Sequence, residues 1–196
     1  MADRMTSPAA ERNRGPILDA LRPHLPATGL VLEVASGTGE HAAHLAAALP
    51  GLTFQPSDPR PEARASIDDW CALFPNVRPA MALDAVAEWP VDAADAVLCA
   101  NMIHIAPWSA AEGLVANAAR VLAPGGVLIL YGPFLQAGVA TAPGNVAFDA
   151  DLRLRDAAWG IRALDDVAQL AVNRGFGPPA VTPMNANNLL VVFRRR

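Results

Sequence analysis

The run Glu33-Val34-Ala35-Ser36-Gly37-Thr38-Gly39 puts one acid and two glycines where a short apolar stretch, Leu30 to Ala35, gives way to an alanine-rich helical one. Glycines at such a junction let the backbone approach a ligand closely, and the helix that follows offers free N–H groups. With Ala42 the run also meets the loose G-x-G-x-x-G/A pattern, so it signals a nucleotide-like cofactor without saying which. Its bland alternative is a tight turn that needs small residues. Asp58 stands just after the second strand-like segment, where a carboxylate can accept both hydroxyls of a ribose, and Asp84 follows the third, within reach of an adenine edge. Taken singly, each is a turn former or a helix cap. Together with Glu33 they converge on one crevice, the usual ligand site of such sheets.

Charge separates the candidate cofactors. Glu33 would repel a pyrophosphate and attract the ammonium of S-adenosylmethionine, which favours the sulfonium donor. A nicotinamide-dependent Rossmann oxidoreductase is further weakened because all 15 Lys+Arg residues are arginine. With no lysine there is no Tyr/Lys pair, no Schiff-base nucleophile and no P-loop cation. His104, after the fourth strand, is the candidate for acid/base work, since an unperturbed imidazole titrates near neutrality; its alternative is a buried histidine that hydrogen-bonds a loop. Tyr131 is the single tyrosine and ends the fifth strand, where it contacts substrate or packs. Methyl transfer to an oriented nucleophile needs mainly proximity and alignment, so no base is obligatory. His41 and His44 share a helix face, but without a third ligand nearby or an H-E-x-x-H order no metal is expected.

The elements that must hold these residues follow from periodicity. The 196 residues, 53% hydrophobic and 17% charged, suit a single domain over 1–196 with one sizeable core. A net charge of −4 gives no general attraction to nucleic acid. The two cysteines, Cys71 and Cys99, lie in apolar stretches and offer neither a disulfide framework nor a zinc site. No h-region opens the chain and no stretch reaches ~18 apolar residues, so a soluble, cytoplasmic protein without membrane contact is expected.

Helical spacing over Ile17 to Leu25, with Pro16 in the first turn, opens the fold, and 1–28 is read as an N-terminal cap. Helices over His41 to Leu49, Pro61 to Phe74 and Ser109 to Leu122 alternate with strands at Leu30–Ala35, Leu52–Gln55, Val77–Leu83, Ala94–Ala100 and Val127–Tyr131. After a long connection from Gly132 to Ala158 come a helix near Leu164 to Arg174 and two strands, Ala180–Pro183 and Asn188–Arg194. Too few residues separate those strands for a crossover, so they pair antiparallel. The fold class is α/β: a Rossmann-like, doubly wound, mostly parallel seven-stranded sheet with a C-terminal antiparallel hairpin. The segment 132–162 is read as a lid over the substrate. It holds Phe134, Asn145, Phe148, Asp149, Arg153, Arg155, Asp156, Trp159 and Arg162, which suit either a flat or anionic molecule or the lid's own packing and salt bridges.

Glu33-x-x-x-Gly37-x-Gly39, Asp58, Leu83-Asp84, Asp95-Ala96-Val97 and Leu122-Ala123-Pro124-Gly125-Gly126 resemble class I S-adenosylmethionine-dependent methyltransferases. Nearly the whole chain also resembles the narrower family that includes methyltransferase-like protein twenty-six, domain of unknown function 938. That likeness rests on Glu11-Arg12-Asn13, Gln55-Pro56-Ser57-Asp58, Asn101-Met102-Ile103-His104-Ile105, Tyr131-Gly132-Pro133-Phe134 and Asn187-Asn188-Leu189. The resemblance implies Glu33, Gly37 and Gly39 around the methionine moiety, Asp58 on the ribose, Leu83 and Asp84 by the adenine, and Asn101 and Met102 beside the sulfonium. It places His41 near the cofactor loop and lets Arg12 and Asn13 close over the donor, although Asn13 could instead cap a helix. Ala35 stands where the class usually has its first glycine. The implied function is transfer of the methyl group of S-adenosylmethionine to a small-molecule nucleophile; a cofactor-binding scaffold without activity is the non-enzymatic alternative.

Overall fold

A computed structural model describes residues 4–196. Its first helix, α1 (Pro8–Leu21), starts earlier than periodicity suggested, because Ser7 Oγ accepts the Ala10 N–H at 3.3 Å and Pro8 occupies the first helical position. Pro16 therefore lies inside the helix. There follow β1 (Gly29–Val34), α2 (Glu40–Ala48), β2 (Leu52–Pro56), α3 (Pro61–Cys71), β3 (Ala94–Ala100), α4 (Trp108–Val121), β4 (Leu122–Leu135), α5 (Pro143–Arg155), β5 (Arg162–Ala163), α6 (Leu164–Asn173), β6 (Ala180–Pro183) and β7 (Asn188–Arg194).

The strands form one seven-stranded sheet in the order β2-β1-β3-β4-β7-β6, with β5 paired to the end of β4. β1 to β4 run parallel, and β7 lies antiparallel to both β4 and β6. Strand periodicity splits the core. Val31, Leu98, Ile129 and Leu190 face α1 and α2, whereas Leu32, Val97, Leu128 and Val191 face α4 and α6. Because β1, β3 and β4 run parallel, their carboxyl ends lie at one edge, where the glycine turn and the post-strand loops meet.

Two expectations need correction. Val77–Leu83 is not a strand: it runs beside β2 through two isolated bridges, Phe54 with Val77 and Ser57 with Met81. Pro79 has no N–H to give a ladder, and among the described residues no further strand pairs with the segment. The seventh strand is instead the two-residue β5. The connection after Gly132 is also more ordered than a loop, since β4 continues to Leu135 and α5 fills Pro143–Arg155. The closing hairpin forms as expected, and its turn holds Ala186 and Asn187, both at φ 56°.

Candidate functional site

The glycine turn is built from left-handed backbone, with Ala35 at φ 57°, Gly37 at 61° and Gly39 at 94°. At Gly39 a Cβ would stand 2.7 Å from Ile67 Cα, so glycine there lets α3 pack against the turn. Around the missing side chain of Gly37 there is open space, which leaves its Cα accessible to a ligand. Ala35 adopts the conformation without glycine's freedom, at a cost of about 1–2 kcal/mol. Hydrogen bonds hold it there: Ser36 N–H donates to Ser57 O at 2.8 Å and Ser57 Oγ donates to Glu33 O at 2.7 Å. Asp58 completes the turn, with Oδ2 accepting the Gly37 N–H at 3.1 Å and Oδ1 accepting from Arg60 N at 3.0 Å and Arg60 Nε at 3.2 Å.

In front of the turn opens a cavity of 590 Å³, into which Ala35, Gly37, Asp58, Leu83, Asp84 and Met102 all reach. Its far wall is Ile105 to Pro107, with Arg60, Arg155 and Trp159 at its borders. Glu33 is behind this surface, only 2% exposed, and its Oε2 has no hydrogen-bond partner. Burial pushes its carboxyl pKa up to about 7.

A second polar group lies where α1 crosses the ends of β4 and β7. Asn13 Oδ1 meets His41 Nε2 at 2.8 Å, Asn13 Nδ2 donates to the Tyr131 hydroxyl at 3.4 Å, and Asn188 Nδ2 donates to the same oxygen at 3.0 Å. Asn13 is thus an interior bridge, and Ser7 is the cap. Burial pushes His41 down to about 4, so this network is uncharged at neutral pH. Asn101, at φ 61°, donates its N–H to Tyr131 O at 2.7 Å. A Cβ on Gly132 would fall 3.2 Å from Asn101 Oδ1 and 2.7 Å from His104 Nε2, so the missing side chain is what lets both approach β4.

A protein-family model described as "Protein of unknown function (DUF938)" matches residues 4–195. The chain belongs to this DUF938 family. Among solved structures, human N-acetylserotonin methyltransferase in complex with SAM superposes at TM-score 0.81 with 16% identity, over 95% of this chain and 52% of that one. An O-methyltransferase family protein from Burkholderia thailandensis gives 0.80 with 19% identity, over 95% and 57%. CalO1, a methyltransferase in calicheamicin biosynthesis in its SAH-bound form, gives 0.77 with 19% identity, over 96% and 55%. The DUF938 chain spans little more than half the length of these proteins, and at such identities the likeness shows the fold, that of class I methyltransferases.

Within the DUF938 chain the expected site residues divide into groups. Six line the cavity, as described. Glu33 and Gly39 support the turn from behind, whereas Asn13, His41 and Tyr131 form the network under α1. Arg12 is exposed and makes no side-chain hydrogen bond among the described residues. His104 is 1% exposed and does not line the cavity. Its Nδ1 accepts the Arg162 N–H at 3.4 Å, Phe134 packs edge-on at 5.1 Å, and Nε2 lacks a partner. Burial, reinforced by Arg162, pushes it down to about 3, so the imidazole is neutral.

The 132–162 segment is docked by its own charges. Arg162 donates to the carbonyls of Ile103 at 2.9 Å, Ala106 at 2.6 Å and Ala158 at 2.8 Å, and Arg153 pairs with Asp149 at 2.8 Å. Only Arg155 and Trp159, stacked at 5.0 Å, reach the cavity. Sequence reasoning missed Arg60 as a wall, and an arginine two residues after the ribose-type acid was the one available signal; Arg162 follows the packing alternative given for its segment. Among the described residues no group of three or more His, Cys, Asp or Glu is placed to hold a metal, and no helix is long and apolar enough to cross a membrane.

Proposed function

We propose that this chain is an S-adenosylmethionine-dependent methyltransferase acting on a small-molecule nucleophile. The observation that carries the reading is Glu33: a buried carboxyl with an unpartnered oxygen beside a ligand-sized cavity is stabilised by an incoming cation, and the ammonium of the methionine moiety is such a group. An anionic pyrophosphate would meet repulsion at the same place. Gly37 presents an accessible Cα, Asp58 presents a carboxylate suited to a ribose, and Leu83 and Asp84 lie where an adenine would stack and hydrogen-bond. Met102 borders the same cavity, and Asn101 stands at the end of β3.

When bound, the donor supplies an electrophilic methyl on a sulfonium. The chain's own contribution is positioning and exclusion of water. Buried Tyr131 accepts two amide N–H groups at its oxygen and so positions Asn13 and Asn188 at this edge of the sheet. His104, neutral and enclosed, supports the loop after β3 through its link to Arg162. Asn13 holds α1 over this edge, and Arg155 and Trp159 border the cavity. A cytoplasmic setting accords with two free cysteines, both buried, whose thiols burial pushes up to about 12.

Calorimetric titration of the chain with S-adenosylmethionine, S-adenosylhomocysteine and NADH tests the reading, with Glu33→Ala and Asp58→Ala alongside. Saturable binding of both adenosyl ligands that collapses in both variants is expected. Silence toward both, or preference for NADH, would sink it.

A further inference from the structure

Beyond the end of β4 a groove of 240 Å³ lies between the start of α5 and the β6–β7 turn, and no charged side chain lines it. We propose that this groove is the acceptor subsite and that it takes an uncharged, hydrogen-bonding small molecule. The inference rests on the methyl-transfer reading above and names the class of molecule that reading leaves open.

Four observations carry it. The polar lining is carboxamide and hydroxyl: Gln136, Thr141, Asn145, Asn187 and Asn188. Such groups both donate and accept, so they satisfy a neutral polar molecule, whereas an ion would lose hydration there with no counter-charge to replace it. The arginines of the neighbouring segment are engaged elsewhere, Arg153 on Asp149 and Arg162 on three carbonyls.

Asn188 connects the groove to the reaction edge. It lines the groove and donates Nδ2 to the hydroxyl of buried Tyr131 at 3.0 Å, so the groove is one hydrogen bond away from that residue at the end of the sheet. The wall is also held in an unfavourable conformation: Ala186 and Asn187 are consecutive left-handed residues at φ 56°. Asn145 Nδ2 clasps Asn187 O at 3.1 Å and Met184 N–H donates to Asn188 O at 2.8 Å. Left-handed backbone at alanine persists only where its surroundings impose it, and it recurs at ligand clamps. Finally, 240 Å³ falls below the roughly 300–1,000 Å³ of drug-sized sites, which suits a molecule about the size of one substituted ring.

The test uses three near-isosteric probes that differ in charge: 4-hydroxybenzamide, 4-hydroxybenzoate and 4-hydroxybenzylamine. Each is titrated into the full chain with S-adenosylhomocysteine present, following the side-chain amide signals of Asn145, Asn187 and Asn188 by NMR. The expected result is that the benzamide shifts those signals and binds at least about tenfold tighter than either ion, the gap set by desolvation of the charge. Asn145→Ala, which removes both a lining amide and the clasp on the Asn187 carbonyl, weakens the benzamide several-fold, and Thr141→Glu moves the preference toward the benzylamine. Equal or tighter binding of an ion to the unaltered chain, shifts confined to residues outside the groove, or no shift with any probe overturns the inference. A parallel titration of the adenosyl ligand separates the two claims. Donor binding without probe binding removes the groove and leaves methyl transfer, and probe binding without donor binding does the reverse.

Discussion

The cavity before the glycine turn and the groove beyond β4 lie along one edge of the sheet and differ in almost every electrical respect. The first is bordered by Asp58, Asp84, Arg60 and Arg155 and backed by a buried acid; the second is lined by amides, a hydroxyl and apolar groups. The first is assembled mostly from short sequence neighbourhoods after β1, β2 and β3, joined by residues 83–86 beside β2 and by Arg155 and Trp159. The second needs residues from β4, α5, the hairpin turn and β7. A charged ligand requires fixed countercharge, and Glu33 at the end of β1 and Asp58 just after β2 supply it where those strands stop. A neutral ligand requires shape and hydrogen bonds, which any distant elements brought together by packing can provide.

The largest expected effect sharpens this electrical contrast. Glu33 is raised from 4.5 to about 7 in the folded chain, so the folded state keeps a proton that the unfolded state has already released. The stability this group contributes is complete below about pH 4.5 and lost as pH rises toward 7, a swing of about 3 kcal/mol. Urea unfolding of the chain and of Glu33→Gln across pH 4 to 8 should show the gap changing by that amount; the comparison cancels the opposing titration of buried His41 and His104. Over the same window donor affinity should rise with pH, by roughly tenfold between pH 6 and 8, because a cation favours the ionised carboxyl. Benzamide binding in the groove should stay flat.

Next in size, Asp58→Ala should weaken the adenosyl ligand by about 30- to 100-fold in calorimetry, the worth of hydrogen bonds to a charged acceptor. Groove binding should be unaffected; a parallel loss would show that the two regions are one site. Tyr131→Phe works from the other side. It strands the amides of Asn13 and Asn188, so a stability loss of about 1 kcal/mol and reduced acceptor turnover are expected with donor affinity retained. The smallest effect is at Ala35→Gly, which relieves left-handed strain at φ 57° and should stabilise the chain by about 0.5–1 kcal/mol in thermal unfolding. A loss there would mean that the alanine methyl packs usefully against its surroundings.

Much of the cavity before the glycine turn was legible because its signals are local. A glycine after a strand reports a dihedral requirement, and an acid at a strand end reports a place on the sheet's edge, with no knowledge of what packs across from it. The βα alternation and the short link before β7 were equally readable, since side-chain period and loop length restrict topology directly. Val77–Leu83 misled because apolar composition describes a strand's interior but not whether its backbone has a partner; beside β2 it makes only two bridges.

From residue order alone came the doubly wound sheet, the terminal hairpin and the glycine turn with the acids that follow the strands. Tertiary structure decided that His104 is enclosed and neutral, that Asn13 and Tyr131, 118 positions apart, share a hydrogen bond, and that the arginines after β4 clasp their own segment. The physical reason is range: backbone angles, capping and strand ends are set within a few residues, whereas burial and the partner of a polar atom are properties of whatever the rest of the chain packs around it.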